Sequence, residues 1–301
     1  MQCRNYKKIL CSFVWLKRKI PALKIVTYDS RSKTNFFKEL SAIFTDVINS
    51  NFIAKQLAKR DLKATYRQSL LGFFWAFMPI VMQSVVWIFI SDSGIAQFQE
   101  TAIPRPAFII IGTTLWTVLL ESINGPINSI NSSKSIISKI NFPKEALLLS
   151  GIYKLLFNAM LKMILIVFIL FFFKLSPGTT LVYFPLYLFI FILLGTAIGV
   201  LLAPIGLLYT DIGRAIPIIM QFLMYATPVV FAAPTNGTFS KIFAYNPLSP
   251  LINSARNSLV GLPLDNPQLL LYIIPISTIV LLLGLVVLRN SLPIIIEKIS
   301  S

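Results

Sequence analysis

Lys55, Lys59, Lys63 and Arg67 recur at every fourth position, and an α-helix stacks such positions on one face. A row of fixed cations can hold anions, either lipid phosphates or an acidic partner surface. Ala54, Leu57, Ala58 and Leu62 fall on the opposite face, with Asp61 as a charged exception among them. Other chemistry has little material. The chain contains no histidine, which removes the commonest general base and metal ligand. Asp61, Glu121, Glu145 and Asp211 are scattered over separate segments, so no pair of carboxylates or metal-binding cluster is expected. No G-x-x-x-x-G-K-S/T run occurs, and without one the chain has no P-loop to cradle nucleotide phosphates. Cys3 and Cys11 lie in a basic arm expected to be cytosolic and reducing, where a disulfide is not expected.

The row of cations runs straight into the apolar segment SLLGFFWAFMPIVMQSVVWIFIS. An amphipathic helix fused to a span candidate lies along lipid head groups, and its Lys/Arg density marks the cytoplasmic side. Of 301 residues 56% are hydrophobic, and the mean hydropathy is +0.77, which places the chain among polytopic membrane proteins. The net charge is +16, and residues 1–67 hold 15 Lys/Arg against Asp29, Glu39, Asp46 and Asp61. Anionic inner-leaflet lipid attracts such juxtamembrane charge, so no nucleic-acid partner is expected. The short run CSFVWL is followed by KRK with no small-residue cleavage site, and no secretory signal is read.

Six apolar spans follow, at about 70–91, 104–121, 144–173, 181–209, 215–233 and 268–288, long enough to cross a bilayer, and the third exceeds a bilayer core and is expected to tilt or project inward. Pro79 is expected to kink the first. Pro217 and Pro228 are expected to interrupt the fifth, and the apolar stretch after it to re-enter or lie on the outer interface. Gly195-x-x-x-Gly199 and Ala203 share a face of the fourth and permit close helix contact. Within the loop after the second span, 132–140 is expected as a short helix, with Pro143 opening the next. The predicted fold is an all-α membrane protein: six transmembrane helices, an N-terminal amphipathic interface helix, a broken and partly re-entrant fifth helix region, and both termini cytoplasmic. Its parts are a cytoplasmic arm (1–50), the interface helix (51–67), the transmembrane domain (68–290) and a tail (291–301).

Lys154, Asn158 and Lys162 share one face of the third span, as a polar stripe beside a path or as side chains snorkelling to the interface. Asp211 and Arg214, spaced i, i+3, either pair with each other or leave Arg214 for an anionic head group. Trp75, Trp116, Phe222 and Tyr225, with Lys162, are candidates for a channel lining, since aromatic faces offer contact area without demanding one hydrogen-bond pattern.

Three islands carry a family resemblance: RDLKATYRQSLLGFFWAFMPI (60–80), SSKSIISKINFPKE (132–145) and DIGRAIPIIMQFLMYATPVVF (211–231), the last followed by Asn246–Pro247–Leu248. With them the chain resembles, over about 52–290, the membrane permease subunit of ABC-2-type polysaccharide exporters, which carry O-antigen, teichoic acid and capsule-like glycans. It departs at Thr210, where the family often has a basic residue, and in its longer N-terminal arm. The resemblance implies a homodimer in the bacterial plasma (inner) membrane and two copies of a separate P-loop ATPase that binds the ATP and Mg. No cofactor is then expected in this chain itself. It implies a lipid-linked glycan as cargo, and ATPase coupling through Lys59, Arg60, Asp61, Lys63, Lys134, Lys139, Pro143, Lys144 and Glu145. Asp211, Gly213, Arg214 and Pro217 would serve as gate or head-group contacts. A drug or small-amphiphile exporter, a lipid-linked sugar transferase and a passive channel are the competing classes. The transferase would need the acidic pair that the scattered carboxylates do not suggest, and the channel would need no coupling helices.

Overall fold

The structure is a computed structural model. It describes residues 36–67, 71–93, 101–133, 145–233 and 238–300. Among these residues regular structure is entirely helical: α1 (Phe36–Arg67), α2 (Met78–Asp92), α3 (Arg105–Asn131), α4 (Glu145–Phe172), α5 (Phe184–Leu208), α6 (Thr210–Tyr225), α7 (Thr238–Tyr245), α8 (Leu248–Val260) and α9 (Leu270–Ser300). Short 3₁₀ turns precede α2, α5 and α9.

α3 is the hub. Leu115, Trp116, Leu119, Ile123 and Ile127 along it are all buried, and α2, α4 and α5 pack around it. The expected small-residue stripe of the fourth span forms its contact with α5. A Cβ on Gly199 would come within 2.2 Å of the Ile123 carbonyl oxygen, and one on Gly195 within 2.4 Å of Ser122 Cβ. Only glycine lets the two backbones approach this closely. Ala203, on the same stripe, is fully buried. α9 packs on the other side of α5, and α1 lies against α4.

Among the described residues four segments are long and apolar enough to cross a bilayer: Arg105–Asn131, Glu145–Phe172, Thr179–Leu208 and Pro267–Ile295. The chain is therefore a multi-pass membrane protein. The other two expected spans are interrupted. The first divides into a 3₁₀ turn over Gly72–Ala76 and the 15-residue α2. Pro79 stands in the opening turn of α2 rather than kinking its middle, because a proline's missing N–H costs nothing there. The fifth is the 16-residue α6, which passes through Pro217 and ends at Tyr225, ahead of Pro228. A single extended residue, Tyr209, separates it from α5, so Asp211 lies in a helical first turn and not in a loop. The apolar stretch that follows folds into α7 and α8. The helix expected over 51–67 begins earlier, since α1 is continuous from Phe36.

Candidate functional site

α1 buries a narrow strip of small residues. Ser50, Ala54 and Ala58 are each less than 5% exposed, so the helix seats closely on α4. The opposite face is open: Phe44, Ile48 and Phe52 are exposed in its first half. The cation row continues that face, because all these positions fall within about 140° at 100° per residue.

Between α1, the 3₁₀ turn and the first half of α4 lies a groove of about 870 Å³. Lys55, Lys59, Lys63 and Arg67 line it together with Tyr66, Phe73, Tyr153 and Phe157. Lys55 Nζ stands 5.8 Å from the centre of the Tyr153 ring, a cation–π distance. Tyr66, Phe73 and Phe157 form a mutual cluster, with ring centres 4.5 to 6.4 Å apart. No carboxylate is among the described residues that line the groove, so it offers fixed positive charge beside an aromatic wall. Charge-assisted hydrogen bonds from such groups to a phosphate contribute on the order of 1.5–3 kcal/mol each. A phosphorylated amphiphile suits both halves of the groove.

Polar contacts fix the groove's walls. Tyr153 donates from its hydroxyl to Asn51 Oδ1 (2.6 Å), Lys154 Nζ donates to Asp61 Oδ2 (2.9 Å), and the Tyr66 hydroxyl donates to Asn158 Oδ1 (3.3 Å). Asp61 sits among apolar residues because its partner is on α4, and it also accepts from Arg60 (2.8 Å). Burial raises the pKa of Asp61, but hydrogen bonds and charge from Lys154 and Arg60 outweigh it and hold the carboxyl below its ordinary value. Deeper along α4, Lys162 is 1% exposed and ion-paired with Glu121 of α3. Each member of the polar stripe Lys154, Asn158 and Lys162 thus has a partner on a neighbouring helix. Arg289 of α9 completes the arrangement, 2.9 Å from Asp46 of α1 and 3.2 Å from Glu145 of α4.

The other residues singled out by sequence fall in several places. Lys134, Lys139, Pro143 and Lys144, with most of the expected 132–140 helix, lie outside the described residues. Lys59 and Lys63 line the groove, whereas Arg60 does not and is half-exposed. Asp211, Arg214 and Pro217 are exposed on α6, and Gly213 has open space where a side chain would stand. Among the described residues no ion pair joins Asp211 to Arg214. Trp116 is in the core, 4% exposed. Trp75 and Phe222 are exposed, and the Tyr225 hydroxyl accepts from Gln221. Sequence reasoning missed Tyr153 and Phe157, whose aromatic character in an apolar helix carries no local signal. It also missed Arg256, an arginine in a serine-rich apolar run, which is buried at 1% exposure.

Residues 54–260 match the profile of the ABC-2 type transporters. The O-antigen export system permease protein RfbA of Myxococcus xanthus is 25% identical over 229 residues, covering 75% of this chain and 86% of that protein. An RfbA of the same description from Klebsiella pneumoniae is 24% identical over 204 residues, covering 67% and 77%. With more than half its length inside the family profile, the chain belongs to the ABC-2 type transporter family.

Proposed function

We propose that the chain is the transmembrane subunit of an ATP-driven exporter that moves a lipid-linked polysaccharide from the cytoplasmic side across the bacterial inner membrane. The observation that carries this reading is the groove on α1: four cations beside an aromatic wall, in a family whose similar members are named O-antigen export permeases. In this reading α1 lies at the cytoplasmic interface with Phe44, Ile48 and Phe52 in the lipid. The phosphate groups of the cargo lipid lie along Lys55, Lys59, Lys63 and Arg67, and its hydrocarbon runs past Phe73 and Phe157. α2 and α6, with the segments that extend them, complete six spans and leave both termini in the cytoplasm. Two copies assemble with two ATPase subunits, which bind the ATP and Mg. Arg60, together with Lys134, Lys139 and Lys144, meets that subunit, and its closure rocks the spans tied to α1.

The test is genetic and chemical. Deleting the gene is expected to abolish the cell's surface polysaccharide while its lipid-linked form accumulates inside. A Lys59→Glu, Lys63→Glu double variant that still inserts is expected to lower surface polysaccharide at least about tenfold, since two charge-assisted contacts are lost. Unchanged surface polysaccharide in the deletion strain would overturn the reading.

A further inference from the structure

Phe108 opens α3 and Ser129 closes it, about 30 Å away along the helix. The basic groove lies beside the first half of α4, which starts next to Ser129. A second concavity lies at the Phe108 end. Two hollows, of about 180 and 480 Å³, share Ala233, Asn253 and Asp265 and form one cleft between the start of α3, the turn after α6, α7, α8 and the loop before α9. The larger is within the range of roughly 300–1,000 Å³ typical of small-molecule sites.

Its walls are rigid for identifiable reasons. Arg256 is buried inside α8, and Nη2 donates to the carbonyls of Pro228 (3.0 Å) and Val229 (2.8 Å), which the break after α6 leaves without helical partners. Its guanidinium lies 3.4 Å from the centre of the Phe108 ring. A Cβ on Gly112 would fall within 2.4 Å of Nη2, so that glycine makes room for the arginine. The loop carrying Asp265 is tied down by Ser254, which donates to the Asp265 carbonyl (2.6 Å), and by Asn257, which donates to the Pro263 carbonyl (2.9 Å). Asn266 holds a left-handed conformation, φ +51°, which asparagine tolerates better than most residues.

The chemistry presented to the cleft differs from that of the basic groove. Arg256 spends its hydrogen bonds on the Pro228 and Val229 carbonyls and, from Nη1, on Asn253 Oδ1 (3.4 Å), which leaves the Asn253 amide N–H groups for a ligand, and Asp265 is the only charged group among the described residues lining the larger hollow. Asp265 makes no ion pair among the described residues. Asn253 and Asn266 add amides, and Tyr245, 88% exposed, adds a ring face. Ser249 is 5% exposed, lines the same hollow, and its hydroxyl has no hydrogen-bond partner. A buried hydroxyl in that state is destabilising unless something else satisfies it. A carboxylate, amides, a free hydroxyl and an open ring face, with no accessible cation, match a neutral ligand rich in hydroxyls and repel a phosphate.

We propose that this cleft is a binding subsite for a sugar residue of the exported chain, with Asp265, Asn253, Asn266 and Ser249 bonding its hydroxyls and Tyr245 stacking on its ring. The proposal rests on the polysaccharide-export reading above. It makes the far end of the bundle a second contact for the cargo, chemically unlike the first.

The test uses the full chain co-purified with its ATPase. The probe is the cell's own surface polysaccharide, released from its lipid by mild acid and followed by saturation-transfer NMR. The wild-type complex is expected to bind the probe, and Asp265→Asn and Tyr245→Ala are each expected to weaken binding about tenfold. Tyr245 is so exposed that its truncation does not threaten folding, and monodisperse elution with the ATPase checks both variants. No binding by wild type, or equal binding by folded variants, overturns the proposal. If gene deletion removes surface polysaccharide but the variants bind normally, the cleft assignment falls and the export reading stands. If surface polysaccharide persists in the deletion strain, both fall.

Discussion

Asp61 is the residue on which α1 turns toward α4. Its carboxylate receives Lys154 from across the helix pair and Arg60 from its own helix. Exposed ion pairs contribute little, but this one is about three-quarters shielded on both sides, and its loss is expected to cost about 1–2 kcal/mol. Because the folded carboxyl titrates below its ordinary value, its contribution is complete above the unfolded pKa near 3.8 and disappears as pH falls through the lower, folded value. The thermal midpoint of the detergent-solubilised protein is therefore expected to drop between pH 5 and pH 2. Asp61→Asn is expected to start lower at pH 7 and to fall less over the same window. Every other carboxylate is common to both proteins, so the difference between the two curves isolates Asp61. Identical curves would mean that the Lys154 contact contributes nothing.

At the scale of elements, contact between α3 and α5 depends on the absence of side chains. Gly199→Ala would push a methyl group into the Ile123 carbonyl, which is backbone and cannot rotate away. Overpacking of this kind is destabilising by about 1–3 kcal/mol. Gly213→Ala, on α6, meets nothing within 4 Å and should be neutral or stabilising by up to about 1 kcal/mol through helix propensity. Opposite signs for the two alanines, read as thermal midpoints, are the expected outcome. This contact was legible in sequence because Gly195-x-x-x-Gly199 and Ala203 form a periodic pattern within one helix. The cation row on α1 was legible for the same reason. The partners of polar residues were not. Asp61 was visibly out of place on an apolar face, yet Lys154 is 93 positions away and no local pattern joins them. The short α2 and α6 were hidden too, since Pro79 and Pro228 signal a break without fixing the residue at which the helix yields. Arg256 had no periodic partner, and its acceptors are carbonyls, which every residue has.

Across the molecule, α1, α4 and α9 are fastened together at one end. Three hydrogen bonds and ion pairs join α1 to α4, and Arg289 joins α9 to both through Asp46 and Glu145. α9 packs along α5, and α5 along α3, so a displacement of α1 has a packed route to the bundle centre. If the ATPase engages α1, as proposed, this fastening transmits its motion. Loosening the fastening and removing the contact should then have different effects. Arg60→Glu, on the half-exposed face of α1, is expected to weaken retention of the ATPase during purification. Arg289→Gln removes the shared cation between α1, α4 and α9 while leaving Arg60 in place. The ATPase should still co-purify in a two-to-two ratio and hydrolyse ATP, but polysaccharide export per ATP should fall about tenfold, since one charged contact of that kind corresponds to roughly 1.4 kcal/mol. Normal export by Arg289→Gln would show that the motion enters the bundle by another route, leaving α4 and the segment before it as the point of entry. Loss of the ATPase from Arg289→Gln would instead make Arg289 part of the docking surface rather than a strut behind it.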